Sequence, residues 1–182
     1  LNPSLIAKDP VATAASASTA TAAPTGAAST GSAIKFDLVA SKTEASYAVR
    51  EQLARLSLPN DAVGKTNKVT GSITINPDLT IDPSSKFVVD VNSIATDSGM
   101  RDGYVRNNVL QSSQFPEIVF VPTAVSGLAS PLPQSGSVAF KLTGNLTIRD
   151  VTKPVTWDVT GEVNAGSATG TATTSFTFGE FN

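Results

Sequence analysis

The sequence contains neither histidine nor cysteine. Their absence removes the most common general base, the usual zinc ligands and thiolate nucleophiles. Charged residues are also scarce, at 15% of the chain, and the formal net charge is −2 with a pI near 5.0. Binding to nucleic acid requires clustered Lys and Arg on a basic domain, so we exclude that class of function.

Motifs of two common enzyme classes are missing as well. The chain has no G-x-S-x-G nucleophile elbow and no G-x-x-x-x-G-K phosphate loop. We therefore expect a protein that is not an enzyme. The sequence also has no uninterrupted run of about 18 apolar residues, the minimum for a membrane-spanning helix.

Residues 10–32 consist almost entirely of Ala, Ser, Thr, Gly and Pro, without a charged or large side chain. Such a segment cannot offset its ordering entropy by burial. We predict a flexible tether over residues 1–32 and a folded domain over residues 33–182; a frayed terminus without a role is the alternative. Because the sequence begins at Leu1, we expect any membrane contact to come through an anchor upstream, and the protein to be secreted, periplasmic or anchored in the cell envelope.

Beyond the tether, apolar and polar residues alternate with period two, which is typical of β-strands. Turn-forming Pro, Gly, Asn and Asp separate these stretches, and short connections favour antiparallel pairing. Residues 98–110 predict one short helix, capped by Asp97 or Ser98, with Met100, Tyr104 and Leu110 spaced to share a face. About eight strands and one helix form either a sandwich or a closed barrel, and periodicity does not separate the two. The alternating stretches are residues 34–39, 45–50, 69–75, 87–91, 118–120, 138–148, 155–159 and 175–178.

Two segments carry a more specific pattern. Residues 144–159 read G-N-L-T-I-R-D-V-T-K-P-V-T-W-D-V, a strand, a tight turn and a return strand with Pro154 expected at the strand start. This segment resembles the hallmark of the bacterial YceI-like family, G-x-L-T-I-x-x-V-T-K-P-V-x-aromatic-x-V, at every position. Residues 101–106, R-D-G-Y-V-R, and 115–120, F-P-E-I-V-F, resemble the family's helix and the strand that follows it.

The resemblance implies an all-β, lipocalin-like extended antiparallel β-barrel. It also implies a hydrophobic tunnel that binds a long-chain isoprenoid, such as a quinone, or a fatty-acid-like amphiphile, without a cofactor, in a monomer or a homodimer. The closing strand that the family usually has after the element at residues 176–181 is absent here, so we expect either a truncated chain or a barrel that is closed in another way. The alternative from a different class is a structural or adhesive β domain displayed at the cell surface, which has the same composition but a filled interior.

The alternating apolar residues are the candidates for the tunnel lining, although in a small barrel most inward residues simply fill the core. Tyr47 and Trp157 combine a large apolar face with a donor that suits a head group. Arg101 and Arg106 suit a phosphate or carboxylate, with the alternative that Arg101 pairs with Asp97 or Asp102 on the helix surface. The apolar candidates are Phe36, Leu38, Tyr47, Val49, Ile73, Phe87, Val89, Val91, Ile118, Phe120, Leu146, Ile148, Trp157, Val159, Phe176 and Phe178.

Overall fold

The computed structural model describes residues 11–14, 22–24, 33–51 and 60–181. Within these ranges the chain forms eleven strands, all paired antiparallel, and one short α-helix, which confirms the predicted fold class. The elements are β1 (Val11–Ala14), β2 (Ala22–Pro24), β3 (Ile34–Leu38), β4 (Ala45–Glu51), β5 (Asn60–Thr66), β6 (Val69–Ile75), β7 (Lys86–Asp90), α1 (Gly99–Tyr104), β8 (Glu117–Ser126), β9 (Gly136–Ile148), β10 (Val151–Asn164) and β11 (Ser167–Thr177).

The strands form one curled sheet. Strands β6 to β11 pair in chain order and make a half-barrel, and β3 and β2 link β6 back to β11. Eight strands therefore follow one another in a ring, while β1, β4 and β5 extend from the end of β11. The β2–β11 contact is a single residue pair, Ala168 with Ala22, so this part of the ring is the most weakly paired.

Two short strands, β1 and β2, fall inside the segment that we predicted as a tether. They pair with β4, β11 and β3 of the domain. The rest of residues 1–32 lies outside the described residues. The tether and its boundary at residue 33 stay predictions.

The β9–β10 hairpin is the longest in the structure. Its register runs from Val151 opposite Ile148 to Val163 opposite Gly136, joined by a two-residue turn in which Arg149 has φ of 56°. The sequence predicts Pro154 at the start of β10, but in the structure Pro154 is the fourth residue of this strand. Proline is tolerated there because β11 pairs with β10 only from Asp158 onward. At Pro154 the side of β10 that faces away from β9 therefore has no neighbouring strand that would need a backbone N–H.

The predicted helix is confirmed, with Ser98 as its N-cap: the side-chain oxygen accepts from the backbone N–H of Arg101 at 3.5 Å. After α1 the chain widens into a π-helical turn, Val105–Val109, and Leu110 follows. Met100 and Tyr104 do share a face, but it points to solvent. None of the helices in the described ranges has the length and apolar character needed to cross a membrane.

The buried core lies inside the curl of the sheet. It consists of Phe120 on β8, Leu142 and Leu146 on β9, and Phe181 from the 3₁₀ turn Phe178–Phe181 after β11. Apolar side chains of β6 to β11 pack against it. The alternation of the sequence thus sets one face of each strand against this core.

Candidate functional site

The candidate site is the concave inner face of the sheet, where aromatic side chains from neighbouring strands meet. Phe87 on β7 lies opposite Phe120 on β8, and Phe120 lies opposite Leu146 on β9. The rings of Phe87 and Phe120 are stacked with centroids 6.4 Å apart. Directly opposed residues share a face of the sheet, so these three predicted residues form one apolar row.

Trp157 continues this aromatic group onto β10. It lies opposite Leu142 of β9, and its ring meets that of Phe120 edge to face at 5.8 Å. The indole Nε1 is buried and has no hydrogen-bond partner among the described residues. A buried donor without a partner costs about 1–3 kcal/mol. The described residues leave this N–H of Trp157 unsatisfied, so it is available to a polar group of a ligand.

Most of the inner face is only half-buried. Among the predicted lining residues, Phe120 and Leu146 are buried on the face itself. A filled barrel of this size would bury its inward aromatic side chains, whereas here they keep part of their surface accessible. The predicted residues that are half-buried and pack on the core cluster are Ile73, Phe87, Ile118, Ile148, Trp157, Val159 and Phe176. Those that are half-buried outside this cluster are Phe36, Leu38, Tyr47, Val49 and Val89.

Not all predicted residues gather at the aromatic group. Tyr47 and Val49 lie on β4, which pairs with β1 and β5, and Tyr47 lies directly over Gly64, where an added Cβ would come within 2.3 Å of the ring. Val91 lies outside β7, in the 3₁₀ turn Val91–Ser93, and is 1% exposed. The side chain of Phe178 lies outside the described part of the structure. Tyr47, Val49 and Val91 are therefore set apart from the core cluster.

The two arginines proposed for a head group make contacts within the protein. Arg101 forms an ion pair with Asp97, one of the alternatives that the sequence leaves open. Arg106 donates from Nε to the backbone oxygen of Asp102 at 3.2 Å and from Nη1 to that of Asn92 at 3.0 Å. The contact with Asn92 fastens the helical segment to the turn after β7. The head-group role of both arginines stays a prediction.

Asp102 supports the same helix from its inner side. One carboxylate oxygen accepts from the side chain of Thr96 at 2.6 Å and from its backbone N–H at 2.8 Å. The hydrogen bond from the Thr96 hydroxyl, and then that from its backbone, lowers the pKa of Asp102; the nearby Arg106 and Arg101 lower it further. The inner side of α1 is thus held by polar contacts.

Sequence reasoning missed two residues of the site. Phe181 is 6% exposed and packs edge to face on Phe176 at 4.9 Å. Arg149, in the β9–β10 turn, donates to the backbone oxygens of Val109 and Phe181. Phe181 follows the last alternating stretch and Arg149 sits in a turn, so periodicity carries no signal for either; Arg149 lies inside the stretch that matches the family motif, but at a position where the motif specifies no residue.

The chain is similar in sequence to a known family and to several known proteins. The model of the family described as YceI-like domain matches residues 32–182. UPF0312 proteins of Yersinia enterocolitica and Yersinia pestis are each 30% identical to this chain over 104 residues, which is 56% of this chain and 50% of either relative. The chain therefore spans about half the length of the curated relatives it matches.

Three solved structures match this chain at low sequence identity. A YceI protein of Campylobacter jejuni is 18% identical, with 61% of each chain covered and a TM-score of 0.45. BcnA of Burkholderia cenocepacia is 15% identical, with 73% of this chain and 96% of that chain covered and a TM-score of 0.46. A polyisoprenoid binding domain from Saccharophagus degradans is 7% identical, with 89% and 95% covered and a TM-score of 0.46.

Proposed function

This chain belongs to the YceI-like domain family, and from its inner face we propose that it binds a long-chain isoprenoid or a similar amphiphilic lipid, without catalysing a reaction. The observation that carries the proposal is the half-buried state of the inner aromatic side chains, Phe87, Trp157 and Phe176 among them. These side chains offer an apolar ligand a surface that the protein itself leaves partly uncovered.

Burial of the lipid tail supplies enough free energy for such binding. Each methylene removed from water contributes about 0.8 kcal/mol. Some ten buried carbons therefore offset much of the roughly 4–15 kcal/mol that association costs in lost freedom. Affinity of this kind depends on tail length more than on a specific polar contact, and the inner face consists of aliphatic and aromatic side chains that suit it.

The alternative of a displayed structural or adhesive domain predicts a filled interior. The half-burial of the inner residues speaks against it, because close packing normally brings such side chains out of contact with water. We also propose that the protein works outside the cytoplasm, which the uncharged Ala, Ser and Thr composition of residues 10–32 supports.

The test uses Trp157, the single tryptophan of the chain, as a built-in reporter on the inner face. A polyprenyl alcohol or a long-chain quinone titrated into the protein should change the intrinsic fluorescence and saturate near one ligand per chain. Mass spectrometry of an organic extract of the purified protein identifies any ligand that co-purifies. A ligand-free protein whose fluorescence does not respond to either compound would contradict the proposal.

A matched pair of variants shows where the ligand lies. Val159 of β10 faces the core cluster, whereas its neighbour Thr160 is exposed on the other face of the strand. Val159→Phe adds bulk to the inner face and should weaken ligand binding at least about tenfold, which corresponds to about 1.4 kcal/mol. Thr160→Phe adds similar bulk outside and should leave binding unchanged; equal effects of the two would place the ligand elsewhere.

A further inference from the structure

The segment of α1 and the π-helical turn after it exposes two large apolar side chains on its outer side. Its inner side carries the half-buried Val105 and Val109 together with Asp102 and Arg106, and these two charged residues are engaged with Thr96 and backbone oxygens. Its outer side carries the two most exposed large apolar side chains among the described residues, Met100 at 88% and Tyr104 at 62%. Met100 and Tyr104 are therefore apolar side chains in addition to the inward ones, and adjacent apolar side chains with this exposure mark a candidate contact surface.

The outer side is also electrically neutral. Met100 and Tyr104 lie four residues apart on one side of the segment, and Asn107 and Asn108, one turn further on, are exposed as well. The charged groups nearby are engaged within the protein: Arg101 with Asp97, and Asp102 with Thr96. We call Met100, Tyr104, Asn107 and Asn108 the outer face of the segment; it presents a thioether, a phenol and two amides.

The outer face lies at one end of the half-barrel. Its segment belongs to the connection between β7, which ends at Asp90, and β8, which begins at Glu117 opposite it. The turn between β9 and β10 reaches the same end, because Arg149 in that turn donates to the backbone oxygen of Val109 at 3.4 Å. The segment therefore covers the end of the inner face that the β9–β10 turn and Phe181 also approach.

We propose that this outer face docks on the interfacial zone of a lipid bilayer and so brings this end of the barrel to the membrane from which the amphiphile is taken. The inference about uptake rests on the proposed function, while the docking itself does not. Two exposed apolar side chains fall far short of the roughly 800 Å² that each partner contributes to a specific protein interface. They suit a bilayer surface, where a phenol rests at the head-group level and binding grows with the inserted apolar area.

The experiment is sedimentation of the full chain with vesicles of phosphatidylcholine, with and without phosphatidylglycerol, at low and high salt. The wild-type chain should bind both kinds of vesicle equally, since no free charge drives the contact. Replacing both apolar residues, Met100→Ser with Tyr104→Ser, should weaken vesicle binding at least about tenfold. The control Val63→Ser removes an exposed apolar side chain on β5, 37% exposed, and should bind as wild type.

Three results would overturn the docking: a wild-type chain that stays in solution, a double variant that binds as tightly as wild type, or a double variant whose only defect is loss of a dimer in analytical ultracentrifugation. A melting temperature equal to that of wild type, and a Trp157 fluorescence response to dispersed polyprenyl alcohol equal to that of wild type, show that the variant is folded and that its inner face is intact. Vesicle binding by a wild-type chain that takes up no ligand would support the docking and contradict the proposed function, so the two failures are distinct.

Discussion

The guanidinium of Arg149 donates a hydrogen bond from Nη2 to the backbone oxygen of Phe181 at 3.0 Å. Its Nη1 reaches the backbone oxygen of Val109 at 3.4 Å. One side chain in the β9–β10 turn thus ties together the end of the helical segment and the turn that follows β11. Because Phe181 is part of the buried core, these hydrogen bonds help to hold the end of the inner face in place.

Replacing Arg149 should therefore destabilise the fold. Asn tolerates the left-handed backbone at this position, so Arg149→Asn removes the guanidinium with little added strain. We expect a loss of about 1.5–3 kcal/mol in the free energy of unfolding, the range for hydrogen bonds from a charged donor. Urea denaturation measures this loss. Lys153→Ala, an exposed residue of β10, is the control and should change stability by less than about 0.5 kcal/mol.

Phe181 should contribute strongly to the stability of the fold, although it lies after the last strand. It is 6% exposed and its ring packs on Phe176, so Phe181→Ala leaves a cavity in the core. The expected cost is about 3–5 kcal/mol in the free energy of unfolding. Thermal and urea denaturation check this value, with the half-exposed Val63→Ala as the comparison. A cost under about 1 kcal/mol would mean that the turn after β11 does not pack on the core in solution.

Two glycine-to-alanine changes should act in opposite directions. A Cβ at Gly144 on β9 would come within 2.4 Å of the Val121 backbone oxygen and 2.7 Å of the Phe120 ring, so Gly144→Ala must displace a neighbouring strand and should lower the melting temperature. A Cβ at Gly103 in α1 meets no atom within 4 Å. Gly103→Ala should raise stability by about 0.5–1 kcal/mol, because Ala favours the helix. Calorimetry of both variants measures whether each change raises or lowers the melting temperature.

Acid should weaken the attachment of α1 through Asp102. Its pKa is lowered in the folded protein, chiefly by the hydrogen bond from the Thr96 hydroxyl, so its contribution to stability is present above the unfolded pKa of about 3.9 and is lost as the pH falls through the lower folded value. The difference in unfolding free energy between wild type and Asp102→Asn should be constant from neutral pH to about pH 4 and should shrink below it. A difference that is independent of pH down to full acid unfolding would rule out this role.

The strands with large alternating side chains were predictable from the sequence alone. Residues 69–75 were placed at the bounds that the structure shows, and the predicted stretch 34–39 runs one residue past the end of β3, since alternation of apolar and polar residues has one physical cause, a strand with one buried face. The first half of β11 was missed, because Ala168, Gly170 and Ala172 carry too little apolar surface to make a pattern. Strand β5 was missed as well, since Asn60 and Asp61 are typical of turns.

The sequence by itself determined that this is an all-β chain with one short helix, and its match at residues 144–159 indicated the family. Those properties are local: they depend on residue type and spacing along a few turns of chain. Which strands meet, how far the inner face is covered, and which way α1 turns its apolar side depend on contacts between distant residues. Asp102 with Thr96 and Arg106 with Asn92 hold one side of α1 and its π-helical turn against the protein, next to the half-buried Val105 and Val109, and Met100 and Tyr104 are left outside. These partners lie outside the helical segment itself, so the spacing of apolar residues within it does not determine which side faces inward.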